Sequence, residues 1–286
     1  MFEVKEMKVL VLGATGYIGA VLAEHLAERG HEVVALVRPK ARDAAVPGEV
    51  RHGDLHEPET LGKAVTPDID VVVHAASPVG DEEVDVAAIE ALAGGGARLV
   101  YTSGVWVLGA TTEAAGEDAP VNPITASRYR PRVERLVLDA GGVVVRPGVV
   151  YGRGAGIPTV LTAPGQEDGR YVHAGGPVPT WATVHVDDLA DLLVLAIEKA
   201  APGSLFHAVA EEAVSVADVA AAAGRTGKAV PWRIDEASEV LGRPFAEGLA
   251  LSQVVSGDLA RKVLGWRPSR PGIVDDVRSG SYASRA

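Results

Sequence analysis

The sequence predicts an α/β fold, in which a doubly wound parallel sheet is followed by a small, mainly helical C-terminal lobe. Short apolar runs alternate with helical patterns through the first half of the chain, and the composition becomes rich in glycine and proline after Arg146. The 286 residues, 47% of them hydrophobic, can close a sizeable core. We therefore expect a sheet domain over 1–150, with 181–209 returning to it, and a lobe over 151–180 and 210–286.

The predicted elements follow one another in a regular order. Lys8–Leu12 is apolar and predicts the first strand, a glycine-rich turn opens a helix that ends near Gly30, and 32–36 is the next strand. The later patterns predict, in chain order, a strand at 71–73, a helix at 81–92, a strand at 99–101, a helix at 133–138, a strand at 143–145, a helix at 187–199, a strand at 205–209, and short helices at 216–223, 236–241 and 258–264. Such alternation predicts parallel pairing, with helices covering both faces of the sheet.

Composition excludes several classes of function. The absence of cysteine rules out disulfides, thiolate zinc sites and a cysteine nucleophile, and it favours a reducing cytoplasmic location. The 38 acidic and 27 basic side chains give a net charge of -11, which repels nucleic acids and anionic membranes. His52, His56 and His74 lack the spacing of metal ligands, so no metal site is expected.

The glycine-rich turn GATGYIG begins at Gly13, between the first strand and the first helix. Gly13 permits a tight turn, Gly16 lets the backbone approach a pyrophosphate, and Gly19 lets the helix pack against the strand. The helix N-terminus then supplies donors to the anion. The residues expected to contact the cofactor from this turn are Gly13, Thr15, Gly16, Tyr17 and Ile18. In this strand and helix context the turn predicts a Rossmann-type dinucleotide site.

The end of the second strand carries a basic group rather than a carboxylate. Arg38 and Lys40 occupy the region where an NAD enzyme would place an acidic residue for the ribose hydroxyl. A guanidinium suits a 2′-phosphate, so we predict NADP(H), with Arg38 near the adenine. The alternative is a solvated basic loop without a ligand.

Several further motifs resemble those of the extended short-chain dehydrogenases/reductases, the NAD-dependent epimerase/dehydratase group. They are GDL at 53–55, VVHAAS at 72–77, YTSG at 101–104, RPGVVYG at 146–152 and VHVDDLA at 184–190. The resemblance implies that Asp54, with Leu55 beside it, holds the adenine amino group and that Ala75 and Ala76 line the adenosine ribose. It also implies that Pro147 and Val149 lie against the nicotinamide.

The chain departs from this group in its chemistry, which normally uses a serine, a tyrosine and a lysine. Alignment on the family motifs puts Gly104 at the serine position, Ala126 at the tyrosine position and Arg130 at the lysine position. No lysine occurs between Lys63 and Lys199, so no tyrosine is followed four residues later by a lysine in this segment. We therefore expect Arg130 to contact the cofactor and the usual proton relay to be missing.

Another group must then support the reaction. Ser103, one residue before the serine position, is the expected catalytic hydrogen-bond donor to a carbonyl, although its hydroxyl is a poor acid. Tyr129, Tyr151 and His185 are the other protein candidates for the proton. A ketone beside a phenol could instead receive the proton from its own phenolic hydroxyl.

We therefore expect an NADPH-dependent ketoreductase that acts on a flat aromatic ketone, and the chain resembles the ketoreductases that tailor angucyclinone polyketides. Tyr151, Trp181 and Phe245 are the expected substrate contacts, with packing as their alternative role. A non-catalytic NADP-binding regulator is the competing interpretation. Sugar-nucleotide epimerisation or dehydration is disfavoured by Ala126.

Overall fold

The computed structural model describes residues 5–39, 46–162 and 167–282. The chain forms two compact units. The first unit comprises Met1–Ser103, Arg132–Val145 and Ala190–Phe206, and the second comprises Gly104–Pro131, Arg146–Leu189 and His207–Ala286. In the described part of the chain, no helix is both long enough and apolar enough to cross a bilayer. The assignment of one part to the cofactor and another to the substrate stays a prediction.

The largest sheet that the structure describes has seven strands. Its strands are β1 (Lys8–Leu12), β2 (Glu32–Val37), β3 (Glu49–His52), β4 (Val71–His74), β5 (Arg98–Thr102), β6 (Val143–Pro147) and β11 (Leu205–Ala208), in the spatial order β11-β6-β5-β4-β1-β2-β3. The strands from β1 to β6 pair in parallel. The chain runs outward from β1 to β3 and then returns to β4 on the other side of β1. This reversal creates a crevice at the carboxyl ends of β1 and β4, where ligands bind in such sheets.

The helices that connect these strands are α1 (Tyr17–Glu28), α2 (Pro58–Ala64), α3 (Glu82–Ala93), α4 (Arg130–Asp139) and α5 (Val186–Lys199). Crossovers between parallel strands are right-handed in nearly all proteins, so a reversal of strand order implies helices on both faces of the sheet. The Rossmann-type fold class is therefore confirmed. The helix expected from residue 133 begins at Arg130 instead. Pro131 lies in its first turn, where a missing N–H breaks no helical hydrogen bond.

The second unit combines short strands with short helices. Its strands are β7 (Val149–Gly152), β8 (Ala155–Gly156), β9 (Gly169–His173), β10 (Thr180–His185), β12 (Glu211–Ser215) and β13 (Ala229–Arg233), and its C-terminal helices are α6 (Val216–Ala223), α7 (Ile234–Leu241), α8 (Arg243–Leu249), α9 (Asp258–Leu264) and α10 (Ile273–Ser279). β12, β10, β7 and β8 form one sheet, and β13 pairs with β9. A buried cluster that includes Trp181, Trp232 and Leu249 forms the core around them. The sequence predicted helices α6, α7 and α9. It did not predict these short strands, because their mixed composition has no recognisable strand pattern.

Candidate functional site

The turn between β1 and α1 has the geometry that its glycines predict. Gly13 has a φ of 82°, and the Gly16 N–H donates to the Gly13 carbonyl over 2.8 Å. A Cβ on Gly13 would lie 2.7 Å from the Ala76 nitrogen, and one on Gly19 would lie 2.1 Å from the Gly13 oxygen. Both positions therefore require glycine, one because the turn touches the loop after β4 and the other because α1 packs against the turn.

The N-terminus of α1 is left open toward this turn. Gly16 occupies the N-cap position and has no side chain that could cap the helix, and no acidic residue lies in the first turn. The partial positive charge of a helix N-terminus therefore meets no carboxylate from the helix itself. This arrangement favours binding of a phosphate group.

A cavity of about 630 Å³ lies beside the turn, within the first unit. Ten of the residues predicted to bind the cofactor line this cavity, namely Gly13, Thr15, Gly16, Tyr17, Ile18, Arg38, Asp54, Leu55, Ala75 and Ala76. The remaining lining residues were not predicted, and they are Leu12, Leu36, Val37, Gly53, His56, Leu61, Ser77, Pro78 and Val79. Most of these are chain neighbours of predicted residues at the carboxyl ends of β1, β2, β3 and β4. Their positions at the strand ends were the signal that could have identified them.

Two charged residues face this cavity from different strands. Arg38 follows β2, is exposed, and forms no ion pair with any residue that the structure describes. Asp54 follows β3, and its Oδ1 accepts the His56 N–H over 3.0 Å while its own N–H donates to Thr60 Oγ1 over 3.0 Å. The loop that carries Asp54 is thus held by local bonds, whereas the Arg38 guanidinium is available to an anion. Lys40 lies outside the described residues.

Ser103 lies at the carboxyl end of β5. Its N–H donates to the Val145 carbonyl over 2.8 Å, which fixes its backbone to β6. Its side chain is buried, and Oγ has no hydrogen-bond partner among the described residues. A buried hydroxyl without a partner is costly unless another group satisfies it. Thr102 Oγ1, on the preceding residue, is also without a described partner.

The second unit brings Arg130 and Pro147 together around Gly104. A Cβ on Gly104 would lie 3.9 Å from both Arg130 Nη1 and the Pro147 oxygen, so the position has room for a small side chain. Val149 is buried in β7 and pairs with Thr183 of β10. The roles of Arg130, Pro147 and Val149 at a nicotinamide stay predictions.

The predicted substrate contacts have different surroundings within the second unit. Tyr151 is 1% exposed, its hydroxyl donates to the Pro271 carbonyl over 2.7 Å, and burial raises its pKa. Trp181 is 2% exposed, and its Nε1 donates to the Leu249 carbonyl over 3.1 Å. These contacts favour the packing role for both residues. Phe245 is partly exposed, and its ring centroid lies 6.2 Å from that of Trp106, a residue that the sequence analysis missed.

The remaining candidate roles are proton donation by His185 and metal binding by histidine and acidic side chains. His185 is buried, its Nδ1 accepts the Asp187 N–H over 3.2 Å, and burial lowers its pKa. Its ring lies edge-on to Tyr151, with centroids 5.3 Å apart. Over residues 5–39, 46–162 and 167–282, no three histidine, aspartate or glutamate side chains are grouped so that they could hold a metal ion.

Comparison with known proteins shows similarity along nearly the whole chain. The chain is 32% identical to an uncharacterized protein of Schizosaccharomyces pombe, over 96% of this chain and 100% of the relative. It is 31% identical to the 3-diazoavenalumate denitrifying reductase of a Streptomyces species, over 95% and 99% of the two chains. The fold matches the crystal structure of a human epimerase family protein with NADPH, with a TM-score of 0.78, 23% identity, and coverage of 96% and 99%. The model of the NAD dependent epimerase/dehydratase family matches residues 9–209, and the chain belongs to that family.

Proposed function

We propose that this protein is an NADPH-dependent ketoreductase that acts on a carbonyl of a flat aromatic compound, of the kind found in aromatic polyketides. The observation that carries the proposal is the cavity of the first unit, which is lined by the N-terminus of α1 and by Arg38, whose guanidinium has no ion-pair partner among the described residues. The helix N-terminus and the guanidinium each favour an anion. One cavity that holds both suits a dinucleotide that carries a 2′-phosphate as well as its pyrophosphate. The reductase name of the Streptomyces relative supports the oxidoreductase class.

The residues present fit this cofactor, which supplies a hydride when bound. The first turn of α1 would hold the pyrophosphate, and Arg38 would hold the 2′-phosphate. Asp54 would accept a hydrogen bond from the adenine amino group, while Ala75 and Ala76 leave room for the ribose. A Cβ on Gly13 would meet the backbone of Ala75 and Ala76, so the three residues form a tightly packed wall.

The proton has to reach the product oxygen without the tyrosine and lysine of the family. Tyr129 is followed four residues later by Val133, and the segment between Lys63 and Lys199 holds no lysine. In our proposal, the Ser103 hydroxyl donates a hydrogen bond to the substrate carbonyl, which would satisfy its unpartnered Oγ. The alkoxide formed by reduction then takes the proton of a neighbouring phenol in the substrate, and water reprotonates the resulting phenolate.

The decisive experiment compares matched ketones with purified protein and NADPH. The substrate 8-hydroxy-1-tetralone carries a phenol beside its carbonyl, and 8-methoxy-1-tetralone differs by one methyl group. Loss of a positioned proton donor typically lowers the rate about 10² to 10⁴-fold, so we expect NADPH oxidation with the phenol and at least about 100-fold less with its methyl ether. Equal turnover of the two ketones would refute protonation by the substrate. Tight NADPH binding without turnover across a broad panel of aromatic ketones would favour the non-catalytic regulator.

The choice of cofactor has a separate test. Replacement Arg38→Ala is expected to weaken NADPH binding by about 10 to 100-fold and to weaken NADH binding much less, because only NADPH carries the 2′-phosphate. Arg132→Ala is the matched control, since Arg132 is exposed, pairs with Glu82 over 2.8 Å, and does not line the cavity. Titration of both cofactors by fluorescence measures the affinities. Equal affinity of the wild-type protein for NADH and NADPH would contradict the assignment.

A further inference from the structure

The second unit contains an indole that is partly exposed. The chain has four tryptophans, and Trp181, Trp232 and Trp266 are buried, with 2%, 7% and 1% of their surface exposed. Trp106 alone among the four is partly exposed. It follows Ser103 by three residues, in a 3₁₀ turn that spans Val105–Leu108. The indole therefore belongs to the segment immediately after the expected catalytic serine.

The backbone of this 3₁₀ turn is held by a side chain that lies far along the sequence. Gln253 is buried, and its Nε2 donates to the carbonyls of Val105 and Gly109, both over 2.8 Å. The Asn122 N–H donates to the Val107 carbonyl over 2.9 Å. The two ends and the middle of the turn are thus fixed, so Trp106 is presented from a rigid base.

The indole ring itself lies against helix α8 at a residue without a side chain. A Cβ on Gly248 would lie 2.5 to 2.8 Å from three carbons of the six-membered ring, closer than real contacts allow. Phe245 is three residues earlier on the same face of α8, and its ring is tilted by 59° to the Trp106 ring. Trp181 Nε1 donates to the carbonyl of Leu249 in the same helix over 3.1 Å, which ties α8 to β10. The two rings are therefore held as a pair by fixed elements.

We propose that Trp106 determines substrate specificity, and that its indole and the Phe245 ring together bind the ring system of an aromatic substrate. The proposal rests on the ketoreductase function above and assigns its aromatic selectivity to a particular pair. Both rings are partly exposed, whereas Trp181, Trp232 and Trp266 are buried. Aromatic rings gain energy beyond buried area when they stack offset or edge to face, and a rigid pair loses little entropy on binding. An aliphatic ketone of similar size lacks this gain.

The test measures binding as well as turnover. Calorimetry with protein saturated with NADP⁺ gives the Kd of 8-hydroxy-1-tetralone for wild type, Trp106→Leu, Trp106→Phe and Val263→Ala. Leucine preserves apolar packing against Gly248 without a ring, so we expect the Kd to rise about 10-fold, whereas phenylalanine keeps it within about 3-fold. Val263 is 57% exposed on α9, and Val263→Ala is expected to change nothing. The ratio of kcat/KM for the tetralone to that for 1-decalone, a saturated ketone of similar size, should fall in Trp106→Leu alone.

The placement of the indole has its own readout. Iodide should quench part of the wild-type tryptophan emission, and that part should disappear in Trp106→Phe. The emission that iodide does not quench reports whether the variants keep the three buried indoles. A Trp106→Leu protein that binds the tetralone as tightly as wild type overturns the proposal, and so does a wild type that does not bind it. Binding that depends on Trp106 without NADPH turnover would sustain the aromatic site and refute the ketoreductase function.

Discussion

The glycine turn of the first unit and the Trp106 turn of the second unit both follow a buried strand, β1 in one and β5 in the other. The glycine turn is closed by bonds within a few residues, as in the bond from Gly16 N–H to the Gly13 carbonyl, and by contact with the loop of an adjacent strand. The Trp106 turn depends on Gln253 and on Gly248, both distant in sequence. The conformation of the glycine turn is determined largely by its own residues, whereas the Trp106 turn needs the folded second unit around it.

The groups proposed to hold the cofactor in the first unit differ from three buried aromatic donors of the second unit. In the first unit the N-terminus of α1 lacks a side-chain cap, and Arg38 has no described ion-pair partner. In the second unit the polar atoms of Tyr151, Trp181 and Trp266 all donate to backbone carbonyls. Donors that the fold leaves open are available to a ligand, whereas donors satisfied internally hold the fold together. This contrast supports the proposed cofactor site in the first unit.

The largest expected effect tests whether the glycine turn depends on close contact as well as on backbone conformation. Gly13 and Gly30 both have a φ of 82°, but a Cβ on Gly30 would meet nothing within 4 Å. We expect Gly30→Ala to cost about 1 to 2 kcal/mol of stability, because an L-residue is disfavoured in this region. Gly13→Ala adds a clash with Ala75 and Ala76, so we expect a total of about 3 to 5 kcal/mol.

Urea unfolding measures both glycine variants, and cofactor titration provides the second readout. Gly13→Ala should also weaken NADPH binding, because the displaced loop lines the cavity, whereas Gly30→Ala should leave it unchanged. Equal losses of stability in the two variants would show that backbone conformation alone requires glycine at the turn.

The next prediction concerns a buried histidine of the second unit. His207 is fully buried, its Nδ1 lies 3.2 Å from the Ser256 carbonyl, and burial, with the charge of Arg146, lowers its pKa to about 4. Between pH 6.5 and 4 the unfolded chain therefore binds a proton that the folded chain does not. Stability from this group is complete above pH 6.5 and is lost as the pH falls, by up to about 3 kcal/mol.

Replacement His207→Phe should remove this part of the pH dependence. Glu117, whose Oε1 accepts the His207 N–H over 2.8 Å, has a pKa raised by burial, and its contribution runs in the opposite direction as the pH changes. That contribution is present in wild type and variant. The unfolding free energy of each protein is therefore measured at pH 7.5 and at pH 5, and the two pH-dependent changes are compared. The difference between these changes isolates His207. Phe206→Leu, at a neighbouring buried ring, should lose the same stability at both pH values. An unchanged slope in His207→Phe would contradict the prediction.

The third prediction compares two adjacent hydroxyls at the end of β5. Thr102 Oγ1, on the last residue of β5, and Ser103 Oγ, on the residue after it, are both buried without a described partner. If Ser103 donates to the substrate carbonyl, Ser103→Ala should lower kcat about 10 to 100-fold, whereas Thr102→Val should not. Steady-state kinetics with the tetralone decide between them. A comparable loss in both variants would indicate a structural role for this strand end rather than a bond to the substrate.

Sequence reasoning succeeded where position along a strand or a turn determines the contact. Gly13, Arg38 and Ala75 could be placed together because the carboxyl ends of neighbouring parallel strands meet at one edge of a sheet. Trp106 could not be identified, because its exposure depends on Gly248 and on the bonds of Gln253. The strands of the second unit escaped prediction for a similar reason. These strands are short and combine apolar with polar residues, and their pairing is decided by packing rather than by local preference.

The smallest expected effect distinguishes the two helix N-termini of the first unit. Asp81 caps α3, since its Oδ1 accepts the Glu83 N–H over 3.0 Å, whereas α1 has no such cap. Gly16, the N-cap of α1, has an extended conformation that aspartate can adopt, and a Cβ there would lie 3.2 Å from the Gly13 oxygen. Gly16→Ala shares that contact, so the difference between Gly16→Asp and Gly16→Ala isolates the carboxylate.

The carboxylate should have opposite effects on the two measured properties. It would accept a bond from the first turn of α1 and stabilise the protein without cofactor by about 1 kcal/mol relative to Gly16→Ala. It would also occupy the donors intended for a phosphate and repel that anion, so NADPH should bind about 10-fold more weakly than to Gly16→Ala. Thermal unfolding without cofactor and NADPH titration give the two values. If the carboxylate stabilises the helix while cofactor affinity is unchanged, the pyrophosphate does not bind at this N-terminus.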